Sequence, residues 1–432
     1  MLRFFKQSDK TLFRWCGVIQ QSVIKPLYSK GEFTQNDIKS LIQFCFPIDQ
    51  PISGPLFFVF RFRPSNGNFY NVFCLLDQTS FQLKDMDTNQ QCVICIITEY
   101  FHANVFEEIL KAIRSLLLHS ISTTERFLEA IIKSPTSINT VPYLSDLYTY
   151  NITADTNLKS IVKVAFDFMN PQQIGRLVIA LLTDTPIIVI SSDLSKLSSF
   201  CYALIGLIYP LTWHHIFAPV LPLDFIDSVS SPAPFIVGLH RDIIQKAMNC
   251  DIEGHLLVDI DDQNVSESGL PPISPYAGQL MSRLHSNSVI ELRIFIVSLV
   301  CTCLGIQAAN TRATTVKRIN EALKSTKFDT NSFACSLLQS RTMRSFFDAI
   351  RERTVPQEYA KMIALASTSS VTSLAIQCVD EFPLRRKGQR SGVVQRSMSL
   401  QFTSGEKIPP SVSLPTMTKN LQTDSDSQNT SS

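Results

Sequence analysis

Apolar and polar positions along the chain change period several times, and each change marks a different element. The runs PLFFVFRF at 55–62 and FYNVFCLL at 69–76 are rich in aromatic and β-branched residues, and Pro64-Ser65-Asn66-Gly67-Asn68 separates them. Asn-Gly between two such runs is a hairpin signal, because the turn needs residues that tolerate a left-handed backbone. A third apolar run, Cys92 to Ile97, precedes a stretch in which Phe106, Ile109, Leu110, Ile113, Leu116 and Leu117 recur at helical spacing. Asn104 followed by Glu107 has the form of a capping box for that helix. The pattern predicts an antiparallel sheet with a helix packed on it.

Residues 119–157 are richer in Ser, Thr, Asn and Pro and carry no sustained period, so a linker is expected there. A second folded region then opens. Asn170 can cap a helix with Pro171 at its first position, and Ile174, Leu177, Val178, Leu181 and Leu182 share one face. Thr183-Asp184-Thr185-Pro186 ends it, and Ile187 to Ile190 reads as a short strand buried on both faces. Ser191-Ser192-Asp193 offers caps for a further helix carrying Leu194, Leu197, Cys201, Leu204, Ile205 and Ile208, ended by Pro210. Helix, buried strand and helix imply an α/β layer with a parallel sheet. Helical spacing returns over about 288–365, with Met343, Phe346, Phe347 and Ile350 on one face.

After about residue 366 the composition turns to Ser, Thr, Gln and Pro, a mixture that cannot bury a core and is expected to be disordered. Basic clusters at Arg385-Arg386-Lys387 and around Arg390 and Arg396 allow this tail a peripheral contact with an anionic membrane. Arg396-Ser397 and Ser399 also form a candidate phosphorylation site. The expected order is therefore a first lobe at 1–118, a linker at 119–157, a central α/β lobe at 158–287, a helical part at 288–365 and a tail at 366–432.

Composition narrows the function. Hydrophobic residues make up 45% and charged residues 18%, as in folded globular chains. Lys and Arg number 39 against 37 Asp and Glu, so the net charge of +2 does not suit a surface built to neutralise many phosphates. Nucleic acid is not expected as a partner. The start, MLRFFKQSDK, lacks the apolar stretch of a signal peptide. The apolar run at 294–306 is shorter than the roughly eighteen to twenty residues that cross a bilayer, and prolines and histidines interrupt the run from Phe200 to Leu223. No transmembrane segment is expected. Eleven cysteines without a framework suit buried thiols in a reducing, cytoplasmic compartment.

The sequence carries none of the common catalytic signatures: no phosphate loop, dinucleotide-binding glycine pattern, nucleophile elbow or zinc-protease helix. Only 14 glycines are present, which leaves little material for a phosphate cradle. Cys92 and Cys95 sit three apart on a strand, where side chains point to opposite faces, and no second ligand pair follows at finger spacing. His214 and His215 have no nucleophile or carboxylate beside them in sequence. Asp259, Asp261 and Asp262 end an apolar run in a polar turn, without the remaining oxygen ligands of a calcium loop. Neither a metal nor another cofactor is expected.

The stretch SDLSKLSSFCYALIGLIYPLTWHHIFAPVLPLDFIDSVSSPAPFIVGLH, from Ser192 to His240, closely resembles the central segment of the DENN-domain family. That family's pattern has an apolar helix ending in Tyr-Pro, then W-x-H-x-x-x-P-x-L-P, then Pro-x-Pro-Phe-x-x-Gly before a histidine. Here the matching residues are Tyr209 and Pro210, then Trp213, His215, Pro219, Leu221 and Pro222, then Pro232, Pro234, Phe235, Gly238 and His240. The resemblance extends over roughly 40–355. FCFPID at 44–49 and CVICIITEYFHANVFEEILKAI at 92–113 are similar to the upstream part, HLLVDIDD at 255–262 to the strand after the central motif, and LLQSRTMRSFF at 337–347 to the downstream helix. Ser228 departs from the pattern, standing where many relatives carry an aromatic residue, and in the downstream helix Arg341 and Met343 replace the polar amide and the aromatic residue often found there.

The resemblance implies a longin-like antiparallel lobe, an α/β lobe and a guanine-nucleotide exchange factor for a Rab-type small GTPase, acting in vesicle-mediated transport including endocytosis. The exchange factor works by differential binding and breaks no covalent bond. It also implies that Trp213, His215, Pro219, Pro222, Asp227, Pro232, Pro234, Phe235, Gly238, His240, Asp259 and Asp261 are structural or close to the GTPase. Two alternatives stay open. A DENN-fold scaffold or effector would bind a GTPase without exchange, and a hydrolase would use Ser191 or Ser192 as nucleophile, although no glycines flank them to make a sharp elbow.

Overall fold

A computed structural model describes residues 12–48, 54–133, 154–266 and 333–351, less short gaps at 22, 31–32, 79–80, 82, 84–85, 87–89, 210 and 251, with isolated positions between 292 and 320. The tail from 366 and the linker residues 134–153 lie outside them.

The first apolar runs build a five-stranded antiparallel sheet from β1 (Trp15–Ile19), β2 (Ile24–Ser29), β3 (Leu56–Phe62), β4 (Tyr70–Asp77) and β5 (Cys92–Thr98), in the order β2-β1-β5-β4-β3. The hairpin between β3 and β4 is as its sequence predicts, and Gly67 there has φ +77°. Every residue of β5 is buried because the sheet is covered on both faces. Helix α1 (Gln35–Cys45) lies on one, where Phe44 stacks on Phe60 at 5.4 Å, and α2 (Ala103–Leu117) on the other, where Phe106 stacks on Phe73 at 4.5 Å.

Two boundaries differ from expectation. Helix α2 starts at Ala103, after His102, whose side chain makes no cap. Asn104 therefore sits inside the first turn, and Glu107 pairs with Lys111 at 2.9 Å instead of closing a capping box. Residues 121–133, expected within the linker, form α3 (Ile121–Lys133), with Thr124, Leu128 and Ile131 buried on one face. A face of that width, repeated twice in a Ser- and Thr-rich stretch, is too thin a periodic signal to read from sequence.

The second region begins with α4 (Ala154–Phe168) and α5 (Pro171–Leu182). Asn170 caps α5 as anticipated, accepting from Gln173 N while Gln173 reaches back to Asn170 N. The strand β6 (Ile187–Ser191) is fully buried and leads through the Asp193 cap into α6 (Leu194–Leu207). After β7 (Ile216–Ala218) and β8 (Phe235–His240) come the short α7 (Ile244–Ala247), β9 (Leu256–Asp259) and β10 (Asn264–Val265). The sheet order is β10-β9-β6-β8-β7, with β6 parallel to both neighbours and only β10 antiparallel. An α/β architecture with one antiparallel sheet, one largely parallel sheet and helices results.

Helix α6 joins the two sheets. It is apolar nearly all round, which requires cover on every side. On the first sheet's edge strand, Val59 N donates to Ser198 Oγ at 3.2 Å, so the helix caps an otherwise open edge. Tyr202 donates to Asn71 Oδ1 of β4 at 2.9 Å, stacks on Phe101 at 4.0 Å, and meets Phe217 of β7 edge-on at 5.0 Å. On its far side, Gly206 lets Ile161 of α4 approach: an added Cβ would lie 2.8 Å from that side chain. Toward the C-terminus, α8 (Phe333–Gln339) precedes α9 (Arg341–Arg351), which buries Met343, Phe346 and Phe347 as its pattern predicts. The side chain of Ile350 is outside the described residues.

Candidate functional site

The segment that carries the motif wraps the β7–β8 edge of the second sheet. Its chain crosses directly over β8, where Leu221 N donates to Gly238 O at 2.8 Å. A Cβ at Gly238 would lie 2.0 Å from Pro219 O, so glycine is required there by close approach. Pro222 lies at φ −65° before a 3-10 helix at Leu223–Ser230, a position where its missing N–H costs nothing. That helix turns Asp227 to solvent and lays Phe225 on Phe44 at 5.5 Å. Pro232 is exposed and Pro234 half-buried in the turn that enters β8, whose first residue, Phe235, is buried against His255 at 5.2 Å.

Trp213 is buried, and its Nε1 donates to Ile216 O at 3.0 Å, closing a tight loop. Beside it, His215 Nε2 stands 2.9 Å from a carboxylate oxygen of Asp184. No carboxylate neighbours these histidines in sequence; the fold brings one from the turn after α5. Burial raises the Asp184 pKa, but the adjacent His215 ring, Thr342 and the Arg341 amide outweigh it and hold the group below its ordinary value. Burial, and then the charge of His215, pushes the half-buried His214 down, which disfavours its protonation.

A second cluster forms where β6, β8 and β9 end. Asp261 accepts from Ser191 Oγ at 2.9 Å, Ser192 N at 2.6 Å and Arg241 Nε at 3.2 Å. Burial again works against ionisation, but the Ser192 amide and Ser191 hydroxyl outweigh it and hold the carboxylate below its ordinary range. Arg241 also reaches Asp259 and, at 3.4 Å, Asp262. Asp259 in turn accepts from the amides of Asp261 and Asp262, both at 3.1 Å. The three aspartates thus form a polar turn around an arginine, and among the described residues no group of three His, Cys, Asp or Glu is arranged to hold a metal ion. His240 Nε2 lies 2.9 Å from Ser192 O, so that ring nitrogen carries the hydrogen and donates to the carbonyl. The Ser191 hydroxyl therefore faces the Asp261 carboxylate, and the His240 ring is turned to the Ser192 carbonyl.

Cys92 and Cys95 diverge, as residues three apart on a strand must. Cys95 meets Cys74 and Cys45 in a fully buried group, whereas Cys92 lies by Asp77 and Arg114, its thiol pushed up to about 12 by burial. Asp184, Arg241, Ser198 and the Asn71–Tyr202 pair escaped the sequence reading. Only Arg241 had a signal available: it directly follows the motif histidine and precedes a run of aspartates that needs a counter-charge. Among the described residues no helix is long and apolar enough to cross a membrane.

Residues 89–263 match the model of the DENN (AEX-3) domain. The chain is 26% identical over 265 residues to DENN domain-containing protein 1B of Mus musculus, covering 58% of this chain and 33% of that protein. To DENN domain-containing protein 2C of Mus musculus it is 25% identical over 249 residues, covering 54% and 27%. To DENN domain-containing protein 1A of Homo sapiens it is 23% identical over 309 residues, covering 65% and 29%. The matched stretch therefore spans about a third or less of these relatives' own lengths.

Proposed function

The chain is a DENN-domain protein, and from that premise we propose that it promotes release of GDP from a Rab-type small GTPase, in membrane traffic on the cytoplasmic side. The observation that supports this most is where the motif's polar groups go. Trp213 and His240 hold the backbone, His215 meets Asp184, and Asp259 and Asp261 take Arg241 and Ser191, so these polar groups are engaged in keeping the segment's shape. A rigid shape suffices for exchange. A factor that binds the nucleotide-free GTPase better than the loaded one weakens nucleotide by the same factor, and each tenfold takes about 1.4 kcal/mol of differential binding.

The motif residues divide under this reading. Trp213, Pro219, Pro222, Phe235 and Gly238 are buried and keep the shape, while Asp227 and Pro232 are exposed and available to a partner. The test is release of fluorescent GDP from a panel of Rab-type GTPases, where at least a tenfold acceleration of one member is expected. Asp227→Lys should reduce that acceleration and leave the thermal unfolding midpoint unchanged. A folded preparation that accelerates none, yet retains one in its GTP form, is an effector and overturns the exchange reading.

A further inference from the structure

The turn after α5 has the bonding of a Schellman motif: Thr185 N donates to Ala180 O at 2.9 Å, closing the helix end around the residue between. That residue stands in the left-handed region, where glycine is usual, yet it is Asp184 with φ +53°. A side chain kept at such a position needs a reason in its surroundings. Its carboxylate supplies one. It accepts from the first amides of α9, Arg341 N and Thr342 N, the latter at 3.4 Å, and meets His215 Nε2 at 2.9 Å. Ser340 Oγ takes the next amide, Met343 N, at 3.3 Å. One carboxylate thus binds three segments far apart in sequence: the end of α5, the Trp213–His215 loop and the start of α9.

We propose that Asp184 is a clasp for α9: removing its carboxylate undocks the start of that helix from α5 while both sheets stay folded. Along its length α9 also buries the apolar side chains Met343, Phe346 and Phe347. Segments of this kind open as local units below the free energy of global unfolding. The inference does not depend on the identity of any partner.

Hydrogen exchange on the full chain tests it. Asp184→Asn and Asp184→Gly both tolerate a left-handed backbone; glycine removes both acceptor oxygens, whereas asparagine loses the charge and keeps one acceptor. In Asp184→Gly, amides of residues 343–347 should exchange at least tenfold faster, and in Asp184→Asn faster by a smaller factor, with those of β6 and β8 unchanged in both. Ser340→Ala removes the local cap but leaves the clasp, and should raise exchange over 343–347 by less. Unchanged protection of α9 in Asp184→Gly, an equal rise in Ser340→Ala, or a rise shared by β6 and β8 would each overturn the proposal. So would loss of the whole fold in both Asp184 variants.

Discussion

The seam around α6 and the cluster at the ends of β6, β8 and β9 use polar groups in opposite ways. At the seam a few neutral hydrogen bonds, Ser198 with Val59 and Tyr202 with Asn71, lie within aromatic packing from which water is excluded. At the strand ends Arg241 and three aspartates face solvent, with Asp262 71% exposed. A buried neutral bond is costly to leave half-made, whereas an exposed charge pair contributes little because water competes for both partners. The seam should therefore govern stability, and the strand ends should be free to vary.

The largest expected effect comes from dividing the chain. Expressed separately, residues 1–118 and 158–365 would leave β3 and the Ser198–Tyr202 side of α6 bare, and neither piece should show a cooperative thermal transition. A well-folded fragment would reduce the seam to a simple contact between independent lobes. Next, Tyr202→Ala removes a fully buried aromatic side chain and should cost about 3–5 kcal/mol in denaturant unfolding. Asn71→Ala leaves the Tyr202 hydroxyl without its acceptor and should cost about 1–3 kcal/mol. Combining Asn71→Ala with Tyr202→Phe should recover part of that loss, because the hydroxyl is then absent.

Solution pH should separate the two regions by sign. Burial holds the Tyr202 pKa well above the ordinary tyrosine value of 10, so its contribution is complete below pH 10 and is lost as pH rises above it. Asp261 is depressed, so its contribution is complete above its ordinary value of 3.8 and is lost as pH falls below it. Hydrogen exchange should thus loosen the strand ends first in acid and the seam first in base; the reverse order would contradict the comparison. The smallest effect is that of Arg241→Ala, expected at about 0–1 kcal/mol and shrinking further in high salt.

What could be read from the sequence was whatever rests on neighbours in the chain. The β3–β4 hairpin, the Asn170 cap and the buried run of β6 each carry a local signal. Strand β2 did not, because Pro26 demotes it; it lies at the sheet edge, where a missing N–H is tolerated. Strand β1 is five residues long and gains its identity from pairing with β5, distant in sequence. The start of α2 was misread because the burial of Phe101, His102 and Phe106 fixes it there, and no polar cap does. In the site, the motif spacing was visible, but the pairing of His215 with Asp184 exists only once α5 and β7 have been folded together.

The placement of β5 between β1 and β4 also sets an order of events during synthesis. At roughly 5–20 residues per second, the stretch between Ile19 and Cys92 takes on the order of 4–15 seconds to leave the ribosome. Until β5 arrives, β1 and β2 can form only a two-stranded ribbon, which is marginal in water, and one long edge of β1 has no partner. The hairpin of β3 and β4 waits beside it with the matching edge bare. A nascent chain thus carries two open edges that both await the same strand, and the arrival of Cys92–Thr98 closes them together.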